Sequence, residues 1–256
     1  MVTPIPHYNI SYAQNFEDIF LAGILKDIEN GFYVDVGANH PVQDSVTKIF
    51  YDKGWSGINI EPNVSLHAEL CRQRPRDLNL KIGLASQPGN LTFRSYHSLD
   101  GLSSFSHDAQ ENIRASYPDA AYTDSNVEVS SLLQVLASHR PTGDIHFLKI
   151  DVEGFEMEVL LGNAWSRFRP WLLCIERTQD LARRSAITHF LEASSYSNVS
   201  FDGINDFHVS NEKRDIWDNF SYPRELIIMN GVPVNHIFIK CINELVLAQQ
   251  TLAKST

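Results

Sequence analysis

GFYVDVGANHPVQDSV, Gly31 to Val46, decides the fold. An apolar, strand-like run carries one acid, Asp35, and breaks at Gly37 into a loop holding Asn39, His40 and Pro41. Working outward, DSVTKIFYDK (44–53) has helical spacing, GINIEP (57–62) is strand-like, VSLHAELCRQR (64–74) is helical and NLKIGLA (79–85) is strand-like. IHFLKIDVEG (145–154), a helical FEMEVLLG (155–162) and WLLCIE (171–176) continue the pattern. Strands and helices taking turns predict an α/β domain with a doubly wound, mostly parallel sheet. Ligands of such sheets bind at the carboxyl ends of the strands, near the point where strand order reverses.

The flanks fit one domain over 1–256. Phe16, Ile19, Phe20, Ile24 and Ile28 recur at spacings of three and four, which predicts a helix from Gln14 to Ile28 within a lead-in of residues 1–30. Residues 95–125 are polar, rich in Ser and Asp and without a regular apolar period, and read as a lid or acceptor loop. In SNVSFDGINDFHVS, Ser197 to Ser210, Asp202-Gly203 reads as a turn between two strands, so the sheet is expected to end antiparallel. Residues 211–256 read as a helical C-terminal extension whose NHIFIKCINELVLAQQ segment packs on the domain or forms a homodimer.

Composition narrows the chemistry. A formal net charge of -10 argues against nucleic-acid partners, since phosphate binding needs concentrated Lys and Arg. The exception, Arg72-Gln73-Arg74-Pro75-Arg76, reads as cations complementing a helix C-terminus. Cys71, Cys174 and Cys241 have spacings unsuited to a metal and read as reduced core residues. The N-terminus lacks a basic start followed by an apolar block, and Leu226 to Ala248 is interrupted by Asn230, Asn235, His236 and Lys240. Neither a signal peptide nor a membrane span is expected, and the location read from this is cytoplasmic.

Four strands finish in acids: Asp35, Glu61, Asp151 with Glu153, and Glu176. Unpartnered buried carboxylates are costly, so four along one sheet edge imply a polar or cationic ligand. Glu61 ends the strand after the Gly37 loop, where a carboxylate receives ribose hydroxyls in nucleotide-binding folds. The loop itself has one glycine and a proline without an N–H, a poor cradle for a pyrophosphate. A ligand with ribose, no phosphate and a positive centre fits better, and S-adenosylmethionine has these features.

SYAQNFED, GFYVDVGANHPVQDSVTKIFYDKGWSGINIEPN, IHFLKIDVEGFEMEVLLG and FDGINDFHV, in this order over roughly residues 11–210, resemble motifs of the FkbM family of S-adenosylmethionine-dependent methyltransferases. The resemblance implies a Rossmann-like class I methyltransferase fold: a mostly parallel seven-stranded sheet with an antiparallel final hairpin and helices on both faces. It implies O-methylation, with a sugar hydroxyl in bacterial polysaccharide or glycan biosynthesis as acceptor. Another small-molecule natural product is the alternative acceptor. A NAD-dependent nucleotide-sugar enzyme and a non-catalytic glycan-binding module are the competing classes.

Site residues follow partly from the strand ends and partly from this likeness. Asp35, Gly37 and Asn39 are expected at the methionine and ribose end of the cofactor, Glu61 at the ribose and Leu84 beside adenine. Gln14 and Asp18 match a family motif near the pocket; without it they read as a helix-start cap. Asp151, Glu153 and Glu176 are the candidate catalytic residues, with His146 and His208 as lesser candidates for a base. A divalent cation such as Mg would sit between Asp151 and Glu176, although Arg177 stands where a further oxygen ligand would be wanted. Lys149 is expected in packing or a buried pair, Asn205 on a sugar hydroxyl or in turn chemistry, and Gly101 to Ser106 in an acceptor wall or lid.

Overall fold

A computed structural model describes residues 10–139 and 143–218 and two short strand pieces at 228–229 and 232–233. The segment NHIFIKCINELVLAQQ and Cys241 lie outside the described residues. In chain order the elements are α1 (Glu17–Ile24), β1 (Phe32–Val36), α2 (Lys48–Asp52), β2 (Ser56–Ile60), α3 (Val64–Gln73), β3 (Leu78–Leu80), β4 (Gly83–Leu84), β5 (Gly89–Tyr96) and α4 (His107–Ser116). They continue with β6 (Tyr122–Ser130), α5 (Leu132–His139), β7 (Phe147–Ile150), α6 (Glu156–Leu161), β8 (Leu172–Glu176), α7 (Leu181–Ala193), β9 (Tyr196–Phe201), β10 (Asn205–Ser210) and α8 (Arg214–Asp218).

Seven strands form one sheet in the order β3-β2-β1-β7-β8-β10-β9. The first five run parallel, and β10 is antiparallel to both β8 and β9. The order reverses between β1 and β7, which fixes the switch point. Side chains alternate between two apolar layers, as a pleated strand requires. Val34, Ile58, Leu148 and Leu173 face a cluster completed by Leu136 of α5, Leu160 of α6 and Leu191 of α7. Tyr33, Phe147, Cys174 and Phe207 face another, covered by Leu21 of α1 and Phe50 of α2. Burial on both faces is why these strands read as mostly apolar runs rather than as alternating ones.

A smaller sheet, β4-β6-β5, takes in the two ends of the segment expected as a loop over 95–125 and leaves 97–121 as the connection between β5 and β6. There β5 and β6 pair antiparallel from Gly89↔Val129 to Tyr96↔Tyr122, and α4 lies in their connection, capped by Ser106 Oγ accepting from Ala109 N at 3.3 Å. From Tyr122 to Asn126, β6 is exposed throughout, so no apolar alternation marked it as a strand.

Two other expectations are corrected. The first helix begins at Glu17, not Gln14: Asp18 accepts from Ser11 Oγ and from Tyr12 N, both at 2.7 Å, and Phe16 is left-handed with φ 66°. Residues 11–16 are thereby held as an irregular turn. Of the arginine cluster, only Arg72 lies in the last turn of α3, as a cation complementing the helix end would. Arg74, 1% exposed, donates from Nε to the Pro41 carbonyl at 3.0 Å and from Nη1 to Thr47 Oγ1 at 2.6 Å, strapping down the loop after β1. Arg76 donates to the Trp55 carbonyl, and Arg72 pairs with Glu69. Of the cysteines, Cys174 is a core residue, whereas Cys71 is exposed, with its sulfur 3.5 Å from His67 Nε2.

Candidate active site

A cleft of about 460 Å³ opens at the carboxyl ends of β1, β2, β7 and β8. Eight of the ten residues expected at the site line it: Gln14, Gly37, Asn39, Glu61, Leu84, Asp151, Glu153 and Glu176.

At the turn leaving β1, Gly37 N and Ala38 N both donate to the Ile60 carbonyl, at 3.0 and 3.1 Å, and Asn39 N donates to Glu61 Oε2 at 2.8 Å. The three amides a phosphate would need are therefore already engaged. Gly37 has φ +74°, and a Cβ placed on it would stand 1.8 Å from the Asp151 carbonyl oxygen. The close approach that demands glycine here is that of the β7 backbone. Glu61 also accepts from Asn63 N at 2.8 Å. Burial pushes its carboxyl up to about 7, against the pull of these two amide bonds.

Beyond Glu61, the cleft wall turns apolar with Ile82, Leu84 and the paired rings of Phe93 and Phe105, whose centroids lie 4.7 Å apart. Leu84 belongs to β4 of the smaller sheet rather than to the third strand of the main one, but it reaches the cleft as expected. Gly101, Leu102 and Ser103 complete this wall, which is how the 101–106 segment contributes.

The opposite end is acidic. One carboxylate oxygen from each of Asp151, Glu153 and Glu176 lies within 4.8 Å of the others. Burial, then the charge of Asp151, pushes both Glu153 and Glu176 up from the usual carboxylate range. Lys149 stands beneath them, donating to the Gly37 carbonyl at 2.7 Å, with its Nζ 3.3 Å from Asp151 Oδ2 and 3.5 Å from Asp35 Oδ1. Burial works against its charge, but Asp151 and Asp35 outweigh that and hold Lys149 above its ordinary value. This is the buried pair expected of it.

Two of the expected residues are not in the cleft lining. Asp35 is 1% exposed and faces inward, accepting from Thr47 Oγ1 at 2.7 Å next to Lys149, beneath the cleft floor. Asp18, wholly buried, closes the turn before α1. The histidines are elsewhere too: His146 Nδ1 accepts from Phe32 N at 3.0 Å under Trp55 and Trp171, and His208 is buried on β10, where desolvation lowers it to about 4. Asn205 is buried and donates to Glu17 Oε1 at 2.8 Å. Its neighbour Ile204 lines the cleft instead, and with Asp44, Pro62, Ile82 and Phe93 it was not anticipated. An apolar residue in the polar stretch NLTFRSY was the one available signal, for Phe93.

Three non-glycine residues of the cleft, Asn39, Asp44 and Glu153, have left-handed backbones with φ between 52° and 54°. Strain of this kind costs on the order of 1–3 kcal/mol per residue and gathers where side-chain direction matters. The Glu153 turn is held by Ser104 Oγ donating to its carbonyl at 2.8 Å and by Gly154 N donating to Glu156 Oε1 at 2.9 Å. Glu153→Gly removes both the strain and a buried carboxyl group crowded against Asp151. It is expected to raise the unfolding free energy by about 1 kcal/mol in urea titration; a lower midpoint would contradict stored strain.

Strand order, the reversed hairpin and the site at the switch point define a Rossmann-like α/β domain. The chain belongs to the FkbM methyltransferase family, whose domain matches residues 35–208. Its family and fold are those of a methyltransferase. Among solved structures, a putative O-methyltransferase from Klebsiella pneumoniae is similar at 12% identity over 81% of this chain and 83% of that one, with a TM-score of 0.37. No curated protein matches. Among the described residues no helix is long and apolar enough to cross a membrane.

Proposed function

We propose that the protein is an S-adenosylmethionine-dependent O-methyltransferase whose acceptor is a sugar hydroxyl of a glycan. The observation that carries this reading is the cleft's division: a buried carboxylate beside an apolar aromatic wall at one end, three clustered acids at the other, and loop amides already engaged between them. The first end suits ribose and adenine, and the second a cation facing an alcohol. When bound, the cofactor supplies a methyl group on a sulfonium centre. Glu61 would hold the ribose hydroxyls, and Leu84, Phe93 and Phe105 would flank the base. Asp151 would take the proton of the acceptor hydroxyl, with Lys149 fixing Asp151 in place. Glu153 and Glu176, pushed toward their protonated forms, donate to the acceptor's oxygens.

A second reading is favoured by the mutual closeness of the three acids. Asp151, Glu153 and Glu176 would hold a divalent ion such as Mg, which would supply a lowered pKa at the acceptor hydroxyl. Turnover that survives EDTA excludes this arrangement.

Calorimetry with S-adenosylmethionine and S-adenosylhomocysteine tests the proposal; absence of heat from either ligand sinks it. The affinity is also expected to fall on acidification through pH about 7. Glu61 is raised above its usual value, so lowering the pH neutralises it and removes acceptor capacity at the ribose. Binding that is flat from pH 8 to about pH 5.5, well on either side of that value, would remove Glu61 from the ribose.

A further inference from the structure

A second recess, of about 350 Å³, runs between α7 and the β9–β10 hairpin. Arg177, Arg184, Thr188, His189, Asn198 and Asp206 are among its lining. Its walls are polar and prearranged. Arg177 Nε donates to Asp206 Oδ2 at 2.8 Å, its guanidinium lies 3.4 Å from the centre of the Phe201 ring, and Asn198 Nδ2 donates to Asp206 Oδ1 at 3.2 Å. Arg184 has no acidic partner among the described residues. Interleaved donors and acceptors of this kind suit a hydroxyl-rich ligand, whereas a purine prefers apolar walls. The volume is at the small end for ligand pockets, enough for a sugar unit.

The recess adjoins the cleft. A void of about 10 Å³, near the size of one water-probe sphere, is lined by Glu176 on the cleft side and by Arg177, Arg184 and Asp206 on the recess side. The end of β8, the start of β10 and the residues next to them supply both places: Glu176 and Ile204 line the cleft, Arg177 and Asp206 the recess.

We infer that the acceptor is an oligosaccharide held at two places, with the reactive unit at Asp151, Glu153 and Glu176 and a further unit, carrying a carboxylate or phosphate toward Arg184, in the recess beside α7. The inference rests on the sugar-acceptor reading above. It makes chain length, and not only the reactive sugar, a determinant of recognition.

A printed array of bacterial monosaccharides and oligosaccharides, including uronic-acid-containing ones, is to be probed in the presence of S-adenosylhomocysteine with the wild type, Arg184→Ala and Asn198→Ala. The wild type is expected to prefer acidic oligosaccharides, and Arg184→Ala to bind them about tenfold more weakly, the loss of one charge-assisted contact. Asn198→Ala is expected to weaken the same glycans less, and unchanged S-adenosylhomocysteine affinity in both variants controls for folding. Oligosaccharide binding by Arg184→Ala equal to the wild type overturns the inference and leaves the sugar reading standing, as does binding of single sugars alone. No glycan bound by any form overturns both.

Discussion

Gly37→Ala is expected to lose at least about 3 kcal/mol of unfolding free energy, or to fail to accumulate as folded protein. Two costs add. The backbone at φ +74° is one an L side chain rarely adopts, and the new methyl would stand 1.8 Å from the Asp151 carbonyl oxygen. That oxygen cannot retreat cheaply, because Asp151 N is tied to the Val36 carbonyl at 3.1 Å and Lys149 to the Gly37 carbonyl at 2.7 Å. The ends of β1 and β7 are locked to each other at the point where alanine would push them apart. Urea unfolding followed by far-ultraviolet circular dichroism is the measurement, and a midpoint equal to the wild type would show that the strand ends separate freely.

Asp151→Asn is expected to reduce turnover by about 10²–10⁴-fold, the usual contribution of a positioned general base, with cofactor affinity nearly unchanged. The amide keeps the shape of the carboxylate but cannot take the acceptor's proton. Lys149 retains Asp35 and the Gly37 carbonyl as partners, so the cleft floor should persist. Single-turnover methyl transfer and calorimetry with S-adenosylhomocysteine separate the two effects. Undiminished transfer would remove Asp151 from the chemistry, whereas transfer and cofactor binding lost together would make it a structural residue.

Much of this site could be read from the chain. Strands β1, β2, β7 and β8 are largely buried on both faces, so each appears as a mostly apolar run, and an acid at or just beyond its end stands out. Glu61, Asp151, Glu153 and Glu176 were legible for that reason, and all four reach the cleft. Asp35 carried the same signal but faces inward. Lys149 and Thr47 decide its direction, and the Arg74 that steadies Thr47 lies 27 positions further along the chain. Long-range polar partners of this kind leave no local periodicity. The smaller sheet was illegible for a different reason: β6 shows most of its residues to solvent on both faces, so the alternation that betrays a half-buried strand is absent. Ile204 was hidden by its surroundings, since Asp202-Gly203 announces a turn and gives no hint that the next residue lines the cleft.

The contacts of Glu17 and Asn15 with the last hairpin bear on when the protein acquires its site. Asn15 Nδ2 donates to the Asp202 carbonyl at 2.7 Å and Asn205 Nδ2 to Glu17 Oε1 at 2.8 Å, so segments 187 and 188 residues apart meet where Gln14 and Ile204 enter the cleft. The apolar end of the cleft, by contrast, is assembled from residues 36–105, which are near one another along the chain. During synthesis those residues are all made before the acidic end is. A ribosome-bound chain that has not yet emitted β10 therefore lacks one wall of the cleft, which needs the N-terminal turn to close onto the final hairpin.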